Sequence, residues 1–138
     1  MKRIIKFRGR DIKTGEFVFG DLETRPKEDF MVIHQYHEDG SYKSQVKVDP
    51  ETVDQFTGWS RKGKFELYGG DVIAFDDWAF SERERKKMRH HVGVIEWSDE
   101  YGKWMINCGD DGIYEGNDVA DPQLLGNIYE NPELLEMR

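Results

Sequence analysis

The sequence has 138 residues, 37% of them hydrophobic, 35% charged and 13% aromatic, which suits one compact domain or two small subdomains sharing a core. Four Trp, six Tyr and eight Phe carry buried area that an unstructured chain does not have, so a disordered tail is excluded. Twenty Lys and Arg against 28 Asp and Glu leave a net charge of -8, which repels polyanions, disfavours general nucleic-acid binding and favours basic partners.

In chain order, the periodicity is that of strands. Residues 4–8 and 16–22 read as two strands around the turn Lys13-Thr14-Gly15. Residues 30–36 and 42–48 read as two more, and Asp39-Gly40 between them is a hairpin signal. Alternation on the fourth strand predicts Tyr42, Val46 and Val48 toward a core and Lys43, Gln45 and Lys47 toward water. Asp49-Pro50-Glu51-Thr52-Val53 places an N-cap Asp, a Pro at N1 and an acid at N2, which predicts a short helical turn. The glycine-punctuated, basic stretch 57–64 reads as a boundary between two halves.

Beyond it, residues 70–75, 92–97 and 103–108 read as short strands of a small SH3-like barrel or bent sheet. Between the first two lies the basic stretch 81–91, with capping-box spacing at Ser81 and Glu84 but only Met88 as a large apolar residue. Residues 125–129 read as a closing strand. Asn131-Pro132 then starts a final helical turn with Leu134 and Leu135 as its docking residues. The expected fold is mostly β: an N-terminal antiparallel subdomain over 1–57, a linker and connecting strand over 58–70, and an SH3-like subdomain over 71–138 carrying the inserted basic loop 81–91.

Three blocks of residues resemble a known family. Ile5-Lys6-Phe7-Arg8 followed by Asp11, then Val48-Asp49-Pro50-Glu51-Thr52-Val53 with Gln55-Phe56-Thr57-Gly58, then Gly126 to Leu135, stand in the order found in YopX-type proteins of bacteriophages and prophages. Leu67-Tyr68-Gly69-Gly70-Asp71-Val72-Ile73 adds to the likeness, which spans nearly the whole chain. The resemblance implies a phage-encoded, mostly β protein with two β subdomains. It implies no activity and brings no catalytic or binding residues with it. Two departures stand out: Gly9-Arg10 replaces the small residue plus Trp often seen before the Asp, and the basic segment 82–91 looks like an enlarged hairpin tip.

The residue constellations offer little chemistry. His34 and His37 have an odd spacing that sends strand side chains to opposite faces, so the pair does not clasp one ion, and His90, His91 and Cys108 join it only if distant segments meet. Cys108, the single cysteine, shares a strand face with Trp104 and Ile106 and reads as a buried, inert thiol. With no disulfide possible, a reducing cytoplasm is the expected location. Ser44-Gln45-Val46-Lys47 matches S-x-x-K, but its mechanics need a helix where the period here is two. The acid pairs Asp76-Asp77, Asp99-Glu100 and Asp110-Asp111 diverge along strands or serve turns. No phosphate-binding glycine loop, G-x-S-x-G, H-E-x-x-H or calcium loop occurs. No cofactor, metal or catalytic residue is therefore expected, and enzyme activity is the minority reading.

Charge is unevenly spread. Residues 1–25 carry seven basic and four acidic side chains, residues 96–138 two basic and eleven acidic, an arrangement that can dock one end of the chain onto the other or onto a neighbouring subunit. Candidate partner-binding residues are Trp59, Trp78, Arg83, Arg85, Lys86, Lys87 and Arg89. The leading expectation is a non-enzymatic phage interaction protein that binds a host or phage protein and self-associates as a homo-oligomer. Nucleic-acid binding or polyanion mimicry comes second, and a hydrolase assembled only in the fold third. Residues 1–10 have no apolar h-region and no stretch approaches the roughly 18 apolar residues of a membrane span, so no membrane is expected as a partner.

Overall fold

A computed structural model describes residues 2–77 and 90–138. The chain is mostly β, with two antiparallel sheets and a few 3-10 turns, as a barrel-like or bent-sheet fold requires. It divides into two units, Met1–Tyr68 and Gly69–Arg138.

In the first unit, β1 (Phe7–Asp11), β2 (Phe17–Glu23), β3 (Met31–Tyr36), β4 (Tyr42–Arg61) and β5 (Phe65–Tyr68) pair in sequence order. β1 also pairs with β4, so the ladder of the first four strands closes on itself. The β3–β4 hairpin forms where Asp39-Gly40 predicted it. Gly40 has φ +88° and donates its N–H to the His37 carbonyl at 2.9 Å, while Asp39 Oδ1 accepts the Ser41 N–H and hydroxyl. Ile33 and Val48 are fully buried inside, with Phe56, Leu67 and Tyr68 close by. Arg8 is buried too, its guanidinium 4.9 Å from the Phe17 ring and 5.2 Å from the Tyr68 ring.

Several local expectations are corrected. β1 begins at Phe7, and Ile4 and Ile5, 62% and 59% exposed, precede any strand. Tyr42 is exposed rather than core, because it opens β4 beside the hairpin and packs edge-on against Tyr36. Residues 49–53 form no helical turn: they belong to β4, which pairs with β1 on both sides of them. Arg10 pairs with Asp49 and Arg8 with Asp54, so residues 50–53 stand opposite Gly9 alone. The bulge is held by Thr52 Oγ1, which accepts the Arg10 N–H at 2.9 Å and donates to the Asp49 carbonyl at 2.7 Å. Residues 58–61 complete β4 and 62–64 form the turn to β5.

In the second unit, β6 (Asp71–Asp77), β7 (His90–Ser98), β8 (Lys103–Asn107), β9 (Ile113–Glu115) and β10 (Val119–Asn127) lie in the order β10-β6-β7-β8-β9. β6 is buried almost throughout, with an unbroken apolar run from Val72 to Phe75, because both its faces are covered. Val72 and Ala74, with Val92 and Val94 across the ladder, pack under Ile128, Leu134 and Leu135, so the final Pro132–Met137 turn docks through the two leucines as expected. Ile73 and Phe75 face the opposite way, where Ile95 and Ile106 are also buried. A Cβ on Gly93 would come within 2.5 Å of Ile106 Cγ2 and 2.7 Å of Cys108 Sγ, which is why that strand position has no side chain. The expected loop 81–91 lies outside the described residues up to position 89, and His90 and His91 open β7.

Candidate functional site

The strongest candidate for chemistry by residue type is a histidine cluster in the second unit. His91 is buried, with Nδ1 3.3 Å from Asp111 Oδ2 and Nε2 3.5 Å from Asp77 Oδ2. Its ring lies 4.6 Å from that of Tyr114 and 5.4 Å from that of Phe75. The opening of β7, the end of β6 and the 3-10 turn Gly109–Asp111 thus converge on one imidazole. Cys108, just before that turn, is fully buried, and burial pushes its thiol up from 9.0 to about 11, with the Asp111 and Asp77 charges adding to the effect and Arg138 opposing it. Both groups best suited by residue type to act as a nucleophile and a base are therefore buried.

His34 takes a different role. Its Nε2 lies 2.7 Å from Glu23 Oε1 and its Nδ1 3.1 Å from the Tyr42 hydroxyl, forming a chain with Arg25, which also pairs with Glu23. The His34 and Arg25 hydrogen bonds hold the Glu23 carboxyl below its ordinary range. His37 sits in the exposed β3–β4 turn. Among the described residues no three or more His, Cys, Asp or Glu side chains form a group able to hold a metal ion.

The second unit also carries an open recess of about 240 Å³, lined by Glu96, Trp97, Glu100, Tyr101, Met105 and Ile113 with Ser98 and Asn107. The register builds it: Glu96 pairs with Met105 and Met105 with Glu115, while Asn107 pairs with both Val94 and Ile113. These positions share the face that Leu134 and Leu135 cover further along, over Val92 and Val94. At the recess, the cover among the described residues is reduced to Arg138, whose Nη1 donates to the Asn107 carbonyl at 3.4 Å. Tyr101 and Ile113, each 63% exposed, stand beside half-buried Met105. Glu96, which accepts from Asn107 Nδ2 at 3.2 Å, and exposed Glu100 add negative charge.

Of the residues singled out from sequence, Trp59 is half-buried, its N–H donated to Thr57 Oγ1 at 2.9 Å. Trp78, Arg83, Arg85, Lys86, Lys87 and Arg89 lie outside the described residues. Trp97 and Trp104 pair across β7 and β8 with rings edge to face 5.3 Å apart. The recess residues Tyr101, Met105 and Ile113 were not singled out from sequence. The local signal that could have found them is Ile113 directly after the Asp110-Asp111-Gly112 turn, an apolar residue where turn chemistry expects water.

Comparison with known proteins places the chain. Among solved structures, it is similar over 97% of its length to 99% of protein EF1440 from Enterococcus faecalis, with 20% identity and a TM-score of 0.53, a likeness of fold. None of the curated proteins matches it significantly. The YopX protein family matches residues 6–136, nearly the full chain and, Ile5 apart, all three blocks of resemblance in the sequence, and the chain belongs to that family.

Proposed function

We propose that this chain is a phage- or prophage-encoded, non-enzymatic interaction protein of the host cytoplasm, which docks a basic, apolar protein segment onto the acidic recess of β7–β9, and that in the isolated protein a second copy supplies that segment through residues 2–6. A host or phage protein carrying the same chemistry competes for the same place. The observation that carries the reading is the uncovered sheet face at Tyr101, Met105 and Ile113 beside Glu96 and Glu100.

Residues 2–6, Lys-Arg-Ile-Ile-Lys, offer the complement: Lys2 and Arg3 precede two isoleucines that are exposed and outside any strand, and Lys6 after them anchors the segment to its own unit through Glu66 at 2.6 Å. Apolar burial supplies affinity in such a contact, and opposite charge supplies orientation and partner choice. The buried positions of Cys108 and His91 support the non-enzymatic part of the reading.

Sedimentation of the full chain with charge swaps tests it. Wild type is expected to self-associate at low salt, while Glu96→Lys/Glu100→Lys and Lys2→Glu/Arg3→Glu are each expected to remain monomeric and to associate when mixed. A peptide of residues 2–8 is expected to bind wild type and not the Glu96→Lys/Glu100→Lys variant. A monomer at every concentration with no peptide binding overturns the reading, as does association indifferent to both swaps.

A further inference from the structure

The first unit carries a larger recess on its outer surface, of about 460 Å³, within the size range of small-ligand sites. Its charge has the opposite sign to that of the whole molecule. Lys13 comes from the β1–β2 turn, Arg25 from the connection between β2 and β3, and Lys47 from β4, so three separate segments of chain bring cations to one place. Asp11 is the carboxylate in the lining, and its Oδ1 is already engaged by the Lys13 N–H at 2.8 Å. Glu23, outside the lining, is shared between Arg25 and His34.

The remaining lining is Gln45 and three apolar residues. Val32 and the Phe30 ring line it, with Lys47 Nζ 4.5 Å from the centre of that ring, while Val46, which pairs with fully buried Ile33, turns its side chain to the inner face. Val32 pairs with exposed Lys47 on the outer face and is itself only 3% exposed. The Phe30 ring therefore offers a flat apolar body a surface directly beside ammonium and guanidinium donors.

We infer that this recess binds a small organic anion, a phosphate or carboxylate carried on a flat apolar body. The anionic group sits among Lys13, Arg25 and Lys47, and the apolar body lies against the Phe30 ring. Charge-assisted hydrogen bonds orient the ligand, and the ring surface discriminates it from a bare ion. This differs from binding a polyanionic strand, which the net charge of -8 opposes over longer distances.

Titration of the full chain by NMR and calorimetry with phenyl phosphate, indole-3-acetate and inorganic phosphate tests it. Phenyl phosphate or indole-3-acetate is expected to bind, shifting resonances of the Phe30 ring, and the better of the two identifies the anionic group. Lys13→Gln/Lys47→Gln is expected to weaken binding by about tenfold or more, and Lys43→Gln, an exposed β4 position outside the recess, to leave it unchanged. Phe30→Ala is expected to weaken the aromatic probe selectively. Circular dichroism confirms that each variant is folded. The inference is overturned if neither aromatic probe binds, if inorganic phosphate binds as tightly as phenyl phosphate, or if the double lysine variant binds like wild type.

Discussion

At the scale of single residues, burial governs what the chemically capable side chains do. Cys108 would be reactive as a thiolate, but with no exposed surface and its thiol raised to about 11 it stays protonated across the neutral range. Since the raised value belongs to the folded state, its contribution to stability is complete below 9.0 and is lost as pH climbs from there through about 11. Native protein is therefore expected to react slowly with a thiol reagent at pH 8 and quickly in denaturant; fast native labelling would show that the thiol is open. The stability difference between wild type and Cys108→Ala is expected to shift against wild type between pH 9 and 11, as followed by urea unfolding. The sequence reading reached burial of this cysteine from its strand neighbours Trp104 and Ile106. It did not reach the setting of His91, because Asp77 and Asp111 lie 14 and 20 positions away and meet it only through the β6–β7 ladder and the turn after β8.

At the scale of elements, local signals succeeded where the geometry they specify is itself local. Asp39-Gly40 makes a hairpin because Asp39 and Gly40 satisfy the turn with bonds to residues no more than two or three positions away. Asp49-Pro50-Glu51-Thr52 is just as strong a helix-start signal, yet it forms a strand bulge. The hydrogen bonds that a lone helical turn could make are few, and β1 offers pairing on both sides of the segment. Thr52 decides how the extra residues are accommodated, since its hydroxyl serves both β1 and its own strand. Thr52→Val is expected to cost about 1–3 kcal/mol, from leaving the Arg10 N–H without its acceptor, whereas Thr52→Ser is expected to stay close to wild type; urea denaturation of the three proteins measures this. Equal stability of the valine variant and wild type would remove Thr52 from that role.

At the scale of the whole molecule, charge is divided between regions rather than spread evenly. The net value of -8 conceals a cationic recess in the first unit and an acidic one in the second. Self-association through residues 2–6 and Glu96 and Glu100 is expected to weaken as salt rises from about 0.05 to 0.5 M, because contacts between exposed charges are screened over a Debye length of about 10 Å at 0.1 M. Sedimentation at the two salt concentrations checks this, and an association that strengthens with salt would point to a purely apolar contact. The β3–β4 hairpin, the docking of Leu134 and Leu135 and the opposed charge of the two ends were all readable in the amino-acid sequence, since each depends on neighbouring residues or on composition, whereas β9 and the true extent of β10, Val119–Asn127, were not. Closure of β1 onto β4, the bulge opposite Gly9 and both recesses were not. They depend on register between strands tens of residues apart, and a shift of one residue would turn Met105 and Ile113 to the other face of their sheet, so their meeting is a property of the folded ladder.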